Sequence, residues 1–183
     1  DLYTPCIGDP VAPTVTSGPA AVTGHSRETF VFPAPAVGST FKCSLDNAAF
    51  ATCITPKTYS SLAGGSHRFQ VYATDSLGNV DPTPAIYKWT IIDTIITSSP
   101  SAATNSTSAT FAFTSTAAGS TFECSLDDAP FASCTSPRSY TKLKVIIHNF
   151  QVRAIAGGYT DPTPASFDWT IDKKIPNTTI ISG

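Results

Sequence analysis

The stretch FKCSLDNAAFATC, residues 41–53, decides the reading of this chain, because a near-copy, FECSLDDAPFASC, stands at residues 122–134. Cys43 and Cys124 are 81 positions apart (124−43), as are Cys53 and Cys134 (134−53), and within each copy the two cysteines are ten positions apart. An even separation places both side chains on one face of an antiparallel hairpin whose turn falls midway, near residues 47–49, so that the sulfurs meet across neighbouring strands. Each copy is therefore expected to be a self-stapled hairpin, with disulfides Cys43–Cys53 and Cys124–Cys134. The alternative is two unpaired buried thiols per copy. A metal site needs more than two ligands, and no histidine falls inside either hairpin.

Outward from this hairpin, strands declare themselves by period-two alternation. Phe30 and Phe32 share a face, as do Phe41, Cys43 and Leu45, then Tyr59 and Leu62, then Phe69, Val71 and Ala73, and finally Tyr87, Trp89 and Ile91. Counting TVTS at 14–17, this makes seven short strands between residues 14 and 93, with no helical period. Such a run of alternating strands and turn signals predicts an antiparallel β-sandwich. The second copy follows at a shift of 81 (Pro19 to Pro100, Phe30 to Phe111, Tyr59 to Tyr140, Phe69 to Phe150). The shift becomes 80 from Asp81 and Asp161 onward, so one residue is lost from the last hairpin.

The expected organisation is an arm or linker at 1–13, one domain at 14–93, a second at 94–172, and a tail at 173–183. Within the tail, NTTIISG (177–183) echoes TVTSG (14–18) and TIITSS (94–99). It is expected to be the first strand of a further repeat or a strand lent to a neighbouring molecule, with Thr179, Ile180 and Ile181 at the contact.

Charged residues are 13% of the chain and the net charge is −2, against roughly 25% charged in a typical soluble protein. No basic excess supports a nucleic-acid surface or a polybasic membrane contact, and no apolar run is long enough for membrane insertion. Low charge makes self-association into a polymer easy to envisage. Four of five cysteines fall in the hairpins, which fits an extracellular or cell-surface location. Cys6 is left over, and reads either as an intermolecular partner or as a free terminal thiol. The sequence has no methionine and no signal peptide, which is read as a processed chain or a window of a longer one.

With these residues in view, the chain resembles the tandem immunoglobulin-like repeats of large bacterial surface and secreted proteins. Their pattern is similar to TSGP, a TFxF strand, GSTFxCSLDxxxFxxC, SPxxYxxLxxGxHxFxVxAxD and GNxDPTPAxxxWTxD. The first copy carries residues 38–46, Phe50, Cys53, Pro56, Tyr59, Leu62, Gly65, His67, Phe69, Val71, Ala73, Asp75, Gly78, Asn79, residues 81–85 and Trp89 of it. The resemblance covers residues 14–172 and implies two tandem antiparallel seven-stranded immunoglobulin-like (fibronectin III-like) sandwiches, all-β. It further implies stalks, shafts or fibres, no catalysis and no cofactor. The second copy departs where Ala63, Gly64, Gly65 and Ser66 become Lys144, Val145, Ile146 and Ile147. Three aliphatics at a loop position are expected to be covered by a neighbour, or else to extend a strand into the local core.

Sites for chemistry are sparse. His67 and His148 occupy equivalent positions, which argues for a structural role, and no catalytic elbow, zinc-protease motif or phosphate loop is present. Asp75, Asn79 and Asp81 are weak calcium candidates; they equally serve as turn caps, and the second copy lacks the first two. Asn105 and Asn177 head sequons that a glycosylating export route would occupy. The function expected from the sequence is a structural, non-enzymatic extracellular protein that forms a stalk or filament. The alternatives are an adhesive or carbohydrate-binding module and an accessory region of a larger secreted enzyme.

Overall fold

The computed structural model describes residues 12–174. The chain divides into two compact units, the first ending at Ile91 and the second starting at Ile92, and both are all-β. In the first unit β1 (Val22–Thr23), β2 (Glu28–Phe30), β3 (Thr40–Leu45), β4 (Ala51–Cys53), β5 (Lys57–Tyr59), β6 (Gly65–Thr74) and β7 (Ala85–Ile91) follow one another. One sheet runs β1-β7-β6-β3-β4; opposite it β2 pairs with β5, and Ser17 bridges Val31 just beyond β2. The second unit comprises β8 (Thr94–Ser98), β9 (Ala103–Thr104), β10 (Ala109–Ser115), β11 (Thr121–Leu126), β12 (Ala132–Cys134), β13 (Arg138–Tyr140), β14 (Ile147–Ala156), β15 (Tyr159–Thr160) and β16 (Ala165–Ile171). Its large sheet runs β12-β11-β14-β16-β9 with β15 attached to β14, and its small one runs β13-β10-β8.

The alternating residues meet between the two sheets of each unit. Phe30 of the small sheet stacks on Phe69 of the large one with ring centroids 4.3 Å apart, and Trp89 closes over it at 5.1 Å. Phe111, Phe150 and Trp169 repeat the arrangement at 4.1 and 5.1 Å. Full burial of such rings stabilises by about 1.5–3 kcal/mol each, with a further gain from edge and offset stacking. The sulfurs of each hairpin lie on this inward face: Cys43 is bonded to Cys53 and Cys124 to Cys134.

Several details differ from the sequence expectation. The hairpin turn falls one residue early, at Asp46 and Asn47, so Cys43 stands opposite Ala51 and Cys53 opposite Phe41. The disulfide therefore spans a diagonal pair rather than a directly opposed one. Each large sheet is also not purely antiparallel, because β1 runs parallel to β7 and β9 parallel to β16. In the first unit the chain crosses from the small sheet to the edge of the large one at Gly18 and Pro19 without reversing. Gly18 is needed there, since a Cβ would lie 2.9 Å from the Tyr87 ring.

TVTS forms only the Ser17 bridge, whereas its counterpart β8 is a full strand. The cause is on the partner strand. Thr114 of β10 pairs with Ile95, and Thr116 N–H donates to Asp93 O, but the first unit has Pro33 and Pro35 at these positions. Proline has no N–H to give to a ladder.

Candidate functional site

The β3–β4 turn places an aspartate at the centre of a repeated cluster. Asp46 and Asn47 have φ of 49° and 62°, and Ala48 N–H donates to Leu45 O at 2.9 Å. A turn with two central residues at positive φ matches the twist of a hairpin, and aspartate and asparagine tolerate that conformation best after glycine. From this position Asp46 Oδ1 accepts Arg68 N–H at 2.8 Å, and Oδ2 lies 2.8 Å from His67 Nδ1. His67 Nε2 is 2.8 Å from Ala63 O, and its ring stacks on Trp89 at 5.1 Å. Both acceptors are satisfied together when both ring nitrogens carry hydrogen. The second unit repeats the cluster with Asp127, His148, Lys144 O and Trp169. The histidines thus tie the hairpin turn to the start of the next long strand.

On the outer face of the same sheet the units differ. β6 and β7 are paired so that Arg68 stands directly opposite Lys88. With Ser66, Thr90, Asn47 and Asp46 they border an open hollow of about 440 Å³ that His67 and Trp89 also line. Arg68 Nη1 donates to Asn47 Oδ1 at 3.1 Å, while its Nε is enclosed without an acceptor. The corresponding pair in β14 and β16 is Asn149 opposite Asp168, joined by a bond from Nδ2 to Oδ1 of 2.6 Å. Sequence reading passed over Arg68 and Lys88, because one strand alone does not reveal which residue faces which. The available signal was the exchange of two cations for an amide and a carboxylate between the copies.

The other candidate residues fall elsewhere. Asp75 and Asn79 do come together, but as each other's partners: Asp75 accepts Leu77 N–H, Asn79 N–H and Asn79 Nδ2 at 2.8–2.9 Å. Asp81 is buried and turns Oδ1 to the N–H and hydroxyl of Thr83, leaving Oδ2 without a partner. In the second unit that oxygen's equivalent on Asp161 is filled, accepting the Thr94 hydroxyl at 2.6 Å. The position equivalent to Thr94 is Pro13 (94−81), which has no hydroxyl. Among the described residues no group of three or more His, Cys, Asp or Glu is placed to hold a metal.

Val145, Ile146 and Ile147 are 47%, 48% and 71% exposed, so the run does not enter the local core, although Ile147 opens β14. Asn105 is exposed just after β9. Cys6, Asn177, Thr179, Ile180 and Ile181 lie outside the described residues.

No family model and no curated protein matches the chain. Among solved structures it is similar to the fibronectin(III)-like modules of Clostridium thermocellum CbhA, at 15% identity and a TM-score of 0.39, covering 93% of this chain and 100% of that one. It is also similar to a segment of two fibronectin type III domains from chicken tenascin, at 10% identity and a TM-score of 0.36, covering 87% and 99%. A further likeness is to the BSP domain of a biofilm-associated protein, at 17% identity and a TM-score of 0.28, covering 92% of this chain and 30% of that one. At these scores the likenesses are to all-β modules and carry no argument about function.

Proposed function

We propose that this chain is a structural, non-enzymatic protein of the extracellular or cell-surface space, in which immunoglobulin-like units joined in tandem serve as part of a stalk or filament. The observation that carries the reading is the duplication itself. The disulfide hairpin, the ring core and the Asp–His–Trp cluster recur position for position in the two units. Selection for a catalytic centre acts on one constellation, whereas selection for a stable building block acts on every copy. The two disulfides support an oxidising compartment.

In the filament form of this reading, the tail from 177 to 183 completes the sheet of a neighbouring molecule by edge addition. Cys6 or the exposed run at Val145, Ile146 and Ile147 then lies beside the contact. Electron microscopy of the purified chain, with and without residues 177–183, tests it. Polymers that vanish on deletion support strand exchange, and monodisperse monomers from both preparations sink the filament form.

A further inference from the structure

Three outward positions of the large sheet change charge between the units. Lys42, Arg68 and Lys88 of the first stand where the second has Glu123, Asn149 and Asp168. The second unit resolves its set internally: Asn149 bonds Asp168, and Glu123 accepts Arg153 Nε and Nη2 at 2.9 and 2.7 Å. The first unit does not. Arg68 and Lys88 face one another in register, and among the described residues neither has a carboxylate within ion-pair distance. Like charges directly opposed across strands destabilise a sheet. The second unit shows that the same fold is built without them, so the pair is not there for folding.

The two cations border the hollow of about 440 Å³, together with the hydroxyls of Ser66 and Thr90 and the amide of Asn47. Asp46, the carboxylate on its rim, has both oxygens engaged, by Arg68 N–H and His67 Nδ1. What remains is a guanidinium with an enclosed donor lacking an acceptor, an ammonium, and neutral polar groups around them.

The geometry points to this hollow as a binding site for an anionic saccharide bearing a sulfate ester or uronate. The oxyanion lies between Arg68 and Lys88 and accepts hydrogen bonds from the outer guanidinium N–H groups and the ammonium. The sugar hydroxyls exchange hydrogen bonds with Ser66, Thr90 and Asn47. Small-molecule sites begin at roughly 300 Å³, so the hollow holds one or two sugar rings. An acidic peptide offers the same charge but leaves the ring of hydroxyl and amide groups unused, and for that reason the saccharide is the better fit. The site belongs to the first unit alone and is independent of whether the chain polymerises.

The test is a titration of the isotope-labelled full chain with a sulfated, uronate-containing disaccharide at low ionic strength, followed by amide chemical shifts. Saturable shifts are expected at residues 66–68 and 88–90, and none at 147–149 and 168–170. The double variant R68N/K88D installs the pair already carried by the second unit, so it is expected to melt cooperatively at the same or a higher temperature and to bind at least tenfold more weakly. The reciprocal set D128N/I147S/N149R/D168K, which also supplies the Asn47 and Ser66 equivalents that the second unit lacks, is expected to gain binding in the second unit, an outcome that does not depend on how the first variant folds. Absence of saturable shifts, equal shifts in both units, binding by R68N/K88D within twofold of the parent, or tighter binding of a hexaglutamate peptide than of the disaccharide would each overturn the assignment.

Discussion

Asp127 serves its hairpin turn, the neighbouring strand and a buried ring at once. It takes positive φ in the turn, accepts Asn149 N–H at 3.0 Å, and lies 2.8 Å from Nδ1 of His148, which is only 2% exposed. Asp127→Ala leaves an imidazole nitrogen and a backbone N–H without their acceptor. A buried group so orphaned costs about 1–3 kcal/mol, and a loss of that size in urea denaturation is the expected outcome. Thr94 offers a second case. Its hydroxyl donates to Asp161 Oδ2 and accepts Ala154 N–H at 2.8 Å. Thr94→Val keeps the shape and removes both bonds beside a buried carboxylate, so about 2–4 kcal/mol should be lost, and a wild-type midpoint would refute the role. Asp75 gives a pH-dependent case. The Asn79 side chain, then the Asn79 and Leu77 backbone N–H groups, hold its pKa below 3.8. A lowered folded-state pKa means that the stabilisation is present above 3.8 and fades as pH falls through the folded value. Asn79→Ala should therefore raise the Asp75 titration midpoint toward 3.8, as read by carboxyl NMR.

Among the elements, the long alternating strands were legible and the short edge ones were not. Phe69, Val71 and Ala73 announce β6 because half-burial imprints a period of two, and the same holds for Tyr87, Trp89 and Ile91 in β7. β1 and β9 have two residues each, too few to show any period, and they exist because the neighbouring strand offers a free edge. The TVTS strand failed through prolines on the strand it would have paired with, a non-local cause that a segment read alone does not register. The bond from Thr94 to Asp161 spans 67 positions and was equally hidden. The Cys hairpin was legible as a staple, while its diagonal register was not, because register follows the turn and the turn fell at Asp46 and Asn47. The staple closes a short loop, for which the chain-entropy model gives about 3 kcal/mol. Replacing Cys43 and Cys53 together by alanine is expected to lower the first unit's unfolding free energy by about 2–4 kcal/mol. A change below 1 kcal/mol would mean that the hairpin holds itself without the bond.

At the scale of the whole chain, two units with matched cores, staples and Asp–His–Trp clusters differ at several other positions, and most of those differences point one way. The first unit has a single bridge where the second has β8, an unfilled Asp81 Oδ2 where Asp161 is bonded, and Arg68 against Lys88 where the second has a hydrogen-bonded pair. It also buries Glu28 where the second buries Ala109. An unsatisfied buried polar atom costs about 1–3 kcal/mol and an opposed like-charge pair about 0.2–1 kcal/mol. Pro13, Pro33 and Pro35 offset part of this by stiffening the unfolded chain, by about 0.4–1 kcal/mol each where the native backbone suits them. The balance leaves the first unit less stable, and the two tryptophans allow the order to be measured. Trp89 and Trp169 hold equivalent positions, each stacked on its histidine at 5.1 Å. In Trp89→Phe the fluorescence reports only the intact second unit, and in Trp169→Phe only the intact first, so each substitution handicaps the silent unit. Urea titration of the two variants should give the lower midpoint when Trp89 is the reporter. Coincident midpoints would show that the shared ring core and staple set the stability of each unit and that the differences between the copies contribute nothing to it, and the reverse order would show that those differences favour the first unit.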